Sequence, residues 1–322
     1  MLGGGMAQSR WGIDIKENLG SDLELIAGLQ NRVSADTGST STPFFQNSWI
    51  GLHSNTWGRI TLGRQFNTTF DLMASTYASF PYLPYMEAYK PELGFTAGAR
   101  NNNMIKYVFE HGAIKAGVQY AFGEKGGSSV QTDPNSYGGY LRWSSNGWAI
   151  GAAHQILRLP GETKVTASTL GGSYTSGPWY FNAGFSRNTV KDINVQGATV
   201  INAYWNSETS GGFRPGSVTD INSFAQKRVM YKMGVGYQIT PSTNLGMHYY
   251  HADQSQSAGG KFNAKADFFV MALHHTLSKR TSTYLALDHT RLRGGDGVYI
   301  AKVDDYNVRR RTGATVGLLH RF

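Results

Sequence analysis

Residues 263–292 read NAKADFFVMALHHTL-SKR-TSTYLALDHTRL. Two stretches of strand-forming residues, Asn263 to Leu277 and Thr281 to Leu292, flank Ser278-Lys279-Arg280. The pattern predicts a hairpin with a tight turn. Within it, Phe268 to Leu273 is the longest apolar run in the chain, at six residues. A helix that crosses a bilayer needs about 18 or more. Helical membrane spans are therefore excluded, whereas a membrane β-barrel, apolar only at every second residue, is not.

The same alternation recurs along the chain. In Ser9 to Glu17, Trp11, Ile13 and Ile15 share one face, and Arg10, Gly12, Asp14 and Lys16 the other. Further strands are predicted at 22–33, 44–54, 58–65, 104–111, 113–122, 136–144, 148–158, 165–176, 179–188, 226–239, 243–253 and 310–322. The count is fifteen, in a single domain over residues 1–322. Short turns, such as Asn18-Leu19-Gly20, Ser145-Asn146-Gly147, Gly177-Pro178 and Thr240-Pro241-Ser242, alternate with long polar loops. That asymmetry is expected of an outer-membrane barrel and not of a soluble sandwich. Aromatics at the strand ends suit interfacial girdles: Trp11, Trp49, Trp57, Tyr107, Trp143, Trp148, Trp179, Tyr180, Tyr237, Tyr249 and Tyr284.

Composition agrees. Of 322 residues, 40 are Gly, 13% are aromatic and 16% charged, which favours strands and turns over helices. No cysteine is present, so disulfides and thiol chemistry are excluded. The formal charge is +9. Its basic residues are spread over the strands rather than clustered, which argues for a lumen that attracts anions and against nucleic acid. Met1-Leu2-Gly3-Gly4-Gly5 lacks the basic and apolar regions of a secretory signal. Ala314, Val316, Leu318, His320 and Phe322 share one face of the last strand, and a terminal Phe322 there resembles the insertion signal of bacterial outer-membrane proteins.

Five stretches carry a more specific resemblance: SRWG at Ser9, WIGLHSNTWGRITLGRQFN at Trp49, RNNNMIKY at Arg100, LSKRTSTYLA at Leu277 and VGLLHRF at Val316. In order and spacing they resemble the trimeric general-diffusion porins of Gram-negative bacteria, of the β-proteobacterial type. The resemblance implies an all-β transmembrane antiparallel barrel of the 16-strand porin type in the bacterial outer membrane. It implies a homotrimer that passes small hydrophilic solutes and inorganic ions, with membrane lipid around it, no cofactor and no enzymatic activity. The alternative is a substrate-specific outer-membrane channel.

By the same resemblance, residues 66–103 are the loop that folds inward as the constriction. Arg10 and Arg64 match basic wall positions of that family. Arg100 and Lys106 stand where the loop rejoins the wall, on the polar parity of their strand, and Arg142 is a further candidate on inward parity. The acids that the loop offers are Asp71, Glu87 and Glu92, with Tyr77, Tyr82, Tyr85 and Tyr89 as possible lining. Basic wall opposite acidic loop makes a transverse field, and the basic excess predicts a modest anion preference. Arg64 falls on the apolar parity of Ile60 and Leu62, so a strand end or bulge is expected near Gly63. Asp14 stands where the family usually has a second basic residue, and Pro91-Glu92-Leu93-Gly94 echoes only part of the acidic loop signature of the enteric relatives.

No metal site is expected. His274 and His275 are successive strand residues and point to opposite faces, so they cannot share an ion with His248 and His251. Asp288-His289 has no nucleophile context. Finally, the last strand and the Ser9 strand run the same way when counted through antiparallel neighbours. The chain is therefore read as a porin barrel without its first strand, with Met1 to Gln8 as the tail of the first loop. A gap or a parallel seam is expected between residues 9–17 and 310–322.

Overall fold

The computed structural model describes residues 8–78, 98–123, 135–208, 213–303 and 306–322. Seventeen strands and two α-helices lie along them. The strands are β1 (Arg10–Gly20), β2 (Leu23–Val33), β3 (Thr40–Ser54), β4 (Gly58–Phe66), β5 (Arg100–His111), β6 (Ile114–Ala121), β7 (Asn135–Ser145) and β8 (Trp148–Arg158). They continue as β9 (Lys164–Ser176), β10 (Trp179–Lys191), β11 (Lys227–Thr240), β12 (Thr243–Ser255), β13 (Ala264–Thr276) and β14 (Thr281–Gly294). The last are β15 (Ala301–Val303), β16 (Tyr306–Val308) and β17 (Arg310–His320). Helix α1 (Thr68–Thr76) follows β4, and α2 (Val195–Glu208) follows β10.

Fifteen strands form one all-antiparallel sheet in sequence order, β1 to β14 and then β17. The small hairpin β15–β16 stands apart from it. Most predicted strands agree with the observed ones to within a few residues, and 148–158 coincides with β8. The first turn differs: β1 runs on to Gly20, and the chain reverses at Ser21 and Asp22, with Gly20 and Ser21 at positive φ.

The two faces of the sheet are chemically distinct. Ile13, Ile60, Leu62, Leu141, Ile150, Leu170, Met233, Leu285 and Val316 stand on one face and are exposed. A belt of bare aliphatic side chains along the whole strand order suits lipid, not water. The opposite face carries α1 and most of the buried polar groups, among them Thr61, Lys106, Gln119, Gln155, Asn182 and Asn188. It is called the inner face below. Three of the girdle aromatics belong to it. Trp49 lies opposite Gly28 with its indole where a Cβ of Gly28 would be, and Tyr180 and Tyr284 share the parity of Asn182 and Ala286.

Inner apolar residues are covered by loops rather than by water. Phe268, Val270 and Ala272 of β13 are buried against Phe213, Phe262 and Val298, which explains why the run 268–273 is apolar on both faces. Higher on β8–β10, Leu157, Val165 and Val190 are covered by Ala198 and Ile201 of α2 and by Phe224. Asn194 starts α2, its Oδ1 accepting from the Gly197 amide at 3.0 Å.

β1 and β17 are the two end strands of the sheet, and no pairing joins them among the described residues. In a fifteen-strand antiparallel order they run in the same direction, so direct closure would be parallel. Every residue of β1 is exposed. Of the expected loop tail, Met1 to Gln8, residues 1–7 lie outside the described residues.

Candidate pore constriction

The segment after β4 turns onto the inner face at Asn67. Its Oδ1 accepts from the Phe70 amide at 2.9 Å and caps α1. Its Nδ2 donates to the Gly98 carbonyl at 2.9 Å and its backbone N–H to Ala99, so both ends of the loop are tied at one residue. From there α1 crosses β6, β7, β8 and β9. Thr68 N–H donates to Gln119 Oε1 at 2.5 Å, and Thr69 Oγ1 to Gln155 Oε1 at 3.0 Å.

Beyond the helix, Tyr77 is fully buried. Its hydroxyl lies 2.6 Å from Thr169 Oγ1, and Lys232 Nζ stands 4.4 Å from its ring centroid, within cation–π range. Ser173 Oγ donates to the Thr76 carbonyl at 2.5 Å, and Tyr180 hydroxyl to Ala78 at 2.7 Å. Two glycines permit the close approach. A Cβ at Gly151 would stand 2.5 Å from Leu72, and one at Gly171 the same distance from the Tyr77 ring. These anchors were not singled out in the sequence, because a glycine's role depends on what lies over it.

Lys106 of β5 is the wall residue joined most directly to α1. It is buried, and its Nζ donates to Asp71 Oδ2 at 2.6 Å and to the Phe66 carbonyl at 2.8 Å. Arg100 donates from Nε to Asn47 Oδ1 at 2.8 Å and lies 3.9 Å over the Phe66 ring, which stacks on Phe70. Arg64 is paired with Ser48 in the register of outward Ile50 and Leu62. The register to β5 shifts between Gly63 and Gln65, and Gly63 has φ +116°. The bulge releases Arg64 from simple alternation, and its Nη1 reaches Asn102 Oδ1 at 2.5 Å.

Arg142 of β7 is on the inner parity, opposite Gly151 and Lys115, and donates to Ser144 at 2.8 Å. Arg10 sits at the end of β1 opposite Arg32, exposed and without a contact to α1 among the described residues; Asp14, on the same face, lies opposite Gly28. Of the three loop acids, Asp71 is brought to the wall; Glu87 and Glu92 lie outside the described residues, as do Tyr82, Tyr85 and Tyr89. Phe322 is exposed, edge-on to His320 at 4.8 Å.

The inner-face bases that the sequence analysis does not name include Arg59 and Lys115, besides the Lys232 that meets the Tyr77 ring. Arg59 lies opposite His53 and Val108, and Lys115 opposite Glu110, to which it is paired at 2.8 Å. The signal was there: Arg59 and Thr61 alternate with Ile60 and Leu62. Beside α1, a cleft of about 770 Å³ is lined by Ser75, Thr76, Arg142, Ser144, Tyr180 and Gln238, among others.

A lipid-facing exterior, an inner face of polar and basic side chains and a helix laid against it by named anchors are the features of a channel wall. The family model of Gram-negative porins matches residues 2–295. The chain belongs to the Gram-negative porin family. This porin is 24% identical over 349 positions to an outer membrane porin protein of Bordetella pertussis, covering 100% of this chain and 84% of that one. Its fold is similar to the anion-selective porin of Comamonas acidovorans, with TM-score 0.69 and 22% identity over 99% of this chain and 90% of that one. The Salmonella typhi OmpF structure also has TM-score 0.69, at 13% identity, over 96% and 89%. This porin is thus an outer-membrane β-barrel protein of the Gram-negative type.

Proposed function

We propose that this porin forms a water-filled channel for passive diffusion of small hydrophilic solutes and inorganic ions, with a modest preference for anions. The observation that carries the reading is the charge of the inner face beside α1. Asp71 is paired directly with Lys106 and Glu110 with Lys115, while Arg59 and Arg142 on the same face form no ion pair of their own among the described residues and share the field of Glu110, so bases outnumber acids there. Arginines keep their charge at any physiological pH, so the surplus is fixed. The porin of Comamonas acidovorans to which the fold is similar is anion-selective, which supports the same sign. Residues 66–103 are the constriction segment in this reading, with Arg10, Arg64, Arg100, Lys106 and Arg142 on the wall and Asp71, Glu87 and Glu92 on the loop. Phe322 is the insertion signal.

The porin acts without catalysis and assembles as a homotrimer. The structurally similar OmpT of Vibrio cholerae has a trimer form, which supports this assembly.

Liposome swelling with sugars of rising size tests the passive reading. Rates should fall smoothly with solute size and rise linearly with concentration. Saturation by one solute would favour a substrate-specific channel instead.

A further inference from the structure

Arg291 of β14 and Arg310 of β17 stand directly opposite each other in the sheet. Both face outward: they alternate with inward Thr290 and Arg311 and share the face of Leu285, Leu287 and Val316. Both are exposed, and neither has a hydrogen bond or ion pair among the described residues. Like charges directly opposite on one face of a sheet repel unless something lies between them.

The neighbouring groups do not relieve the pair. Asp267 lies opposite Arg291 across the β13–β14 ladder, but its contacts are with other residues and none is with Arg291. Tyr249 hydroxyl and His251 Nδ1 meet Oδ1 at 2.7 and 2.8 Å, and Arg293 meets Oδ2 at 2.5 Å. Arg311 turns the other way, onto Asp288 at 2.7 Å. Lys265, opposite Arg293, adds positive charge and is paired with Asp253 at 3.5 Å.

The height of the pair is informative. Along outward β14 the residues are Leu285, Leu287, His289, Arg291 and Arg293, apolar first and then basic. Arg291 is four residues past Leu287, about 14 Å along a strand at roughly 3.4 Å per residue. With a tilt of about 45° that is about 10 Å along the membrane normal. The Ser278–Arg280 turn is at the other end of β14, so Arg291 and Arg310 lie at the long-loop end, which faces outside in outer-membrane barrels.

We infer that Arg291 and Arg310 together hold the phosphate of an outer-leaflet lipid head group, with its acyl chain lying along Leu287, Leu285 and Val316. Guanidinium forks match phosphate oxygens in pairs, and one phosphate between two forks converts the repulsion into two charge-assisted contacts. A soluble anion would answer the charge but not the apolar track directly beneath it.

Native mass spectrometry of the refolded protein in detergent tests this, with phosphatidic acid, phosphatidylcholine and inorganic phosphate as probes. Phosphatidic acid should be retained over phosphatidylcholine, and Arg291→Gln/Arg310→Gln should weaken its retention about tenfold or more. Lys279→Gln/Arg280→Gln, the same charge change at the opposite end, should leave it unaltered. Arg291→Lys/Arg310→Lys keeps the charge and loses the forks, so it should give an intermediate loss, and it carries the test if the glutamine pair does not fold. Equal retention by wild type and both arginine variants would overturn the inference, as would an equal loss from the control pair. Displacement by inorganic phosphate at equal concentration would overturn the lipid source in favour of a soluble anion. A change of oligomeric mass without a change in lipid retention would instead assign the pair to a contact between copies.

Discussion

Lys106 Nζ lies 2.6 Å from the Asp71 carboxylate, joining the wall strand β5 to the first turn of α1. The lysine side chain is 5% exposed and the aspartate 22%, so water screens the pair poorly. The same ammonium also holds the Phe66 carbonyl, and the contact fixes where α1 starts across the inner face.

Lys106→Met should therefore loosen α1. Removing one partner of a buried pair costs about 3–5 kcal/mol, and the low end applies here because Asp71 is partly exposed. Thermal unfolding should fall accordingly, and single-channel recordings should show noisier, larger conductance. Lys106→Met/Asp71→Leu should recover part of the stability. If the double variant is no better than the single, the pair is not what holds the helix.

Gly171→Ala places a methyl group where the Tyr77 ring now stands, 2.5 Å away. Overpacking of this kind costs about 1–3 kcal/mol. Alanine replaces a glycine in a strand here, so propensity alone would predict a slight gain in stability. A raised melting temperature would mean that Tyr77 does not sit on Gly171.

Tyr77→Phe keeps the ring under Lys232 and removes the hydroxyl that meets Thr169. Thr169 Oγ1 also donates to the Phe185 carbonyl, so it keeps one partner. A loss of about 1 kcal/mol is expected in denaturant unfolding. Tyr77→Ala should cost several times more, because the buried ring itself is lost.

Asp22, in the β1–β2 turn, accepts from Ser54 Oγ at 2.6 Å and from the amides of Thr56 and Asn55 at 2.9 and 3.1 Å. The Ser54 hydroxyl first, and then those amides, hold its carboxyl well below the usual carboxylate range. A lowered folded-state value means that the turn-to-turn link is fully present above about pH 4 and lost as pH falls further. Amide exchange at Asn55 and Thr56, corrected for intrinsic rate, should speed up on acidification. Asp22→Asn should abolish that pH dependence; a wild-type profile already flat below pH 4 would contradict it.

How much of this was legible in the sequence follows from burial geometry. Fifteen strands could be read because one face meets lipid and the other water-side groups, which imposes a period of two. β13 is less regular because Phe213, Phe262 and Val298 cover its inner face, leaving six consecutive apolar residues. Helix α1 left no helical stripe. Thr68, Thr69, Leu72, Met73 and Thr76 are all buried, and half-polar burial gives no clear apolar side. Trp49 looked like a girdle residue because its composition suits an interface; only the register with Gly28 turns it inward. Arg64 was the reverse case: the awkward parity pointed to a bulge, and the bulge is at Gly63. Arg59 and Lys115 could have been read by parity, whereas the roles of Gly151 and Gly171 become visible only with α1 in place.

The most direct test of the channel's sign is the reversal potential of the reconstituted protein in a planar bilayer across a potassium chloride gradient. An anion-preferring value is expected for wild type, moving toward zero or cation preference in Arg59→Ala/Arg142→Ala, whose side chains form no ion pair among the described residues. A cation-selective wild type, or a double variant with unchanged potential, would contradict the assignment of the basic inner face as the selectivity element.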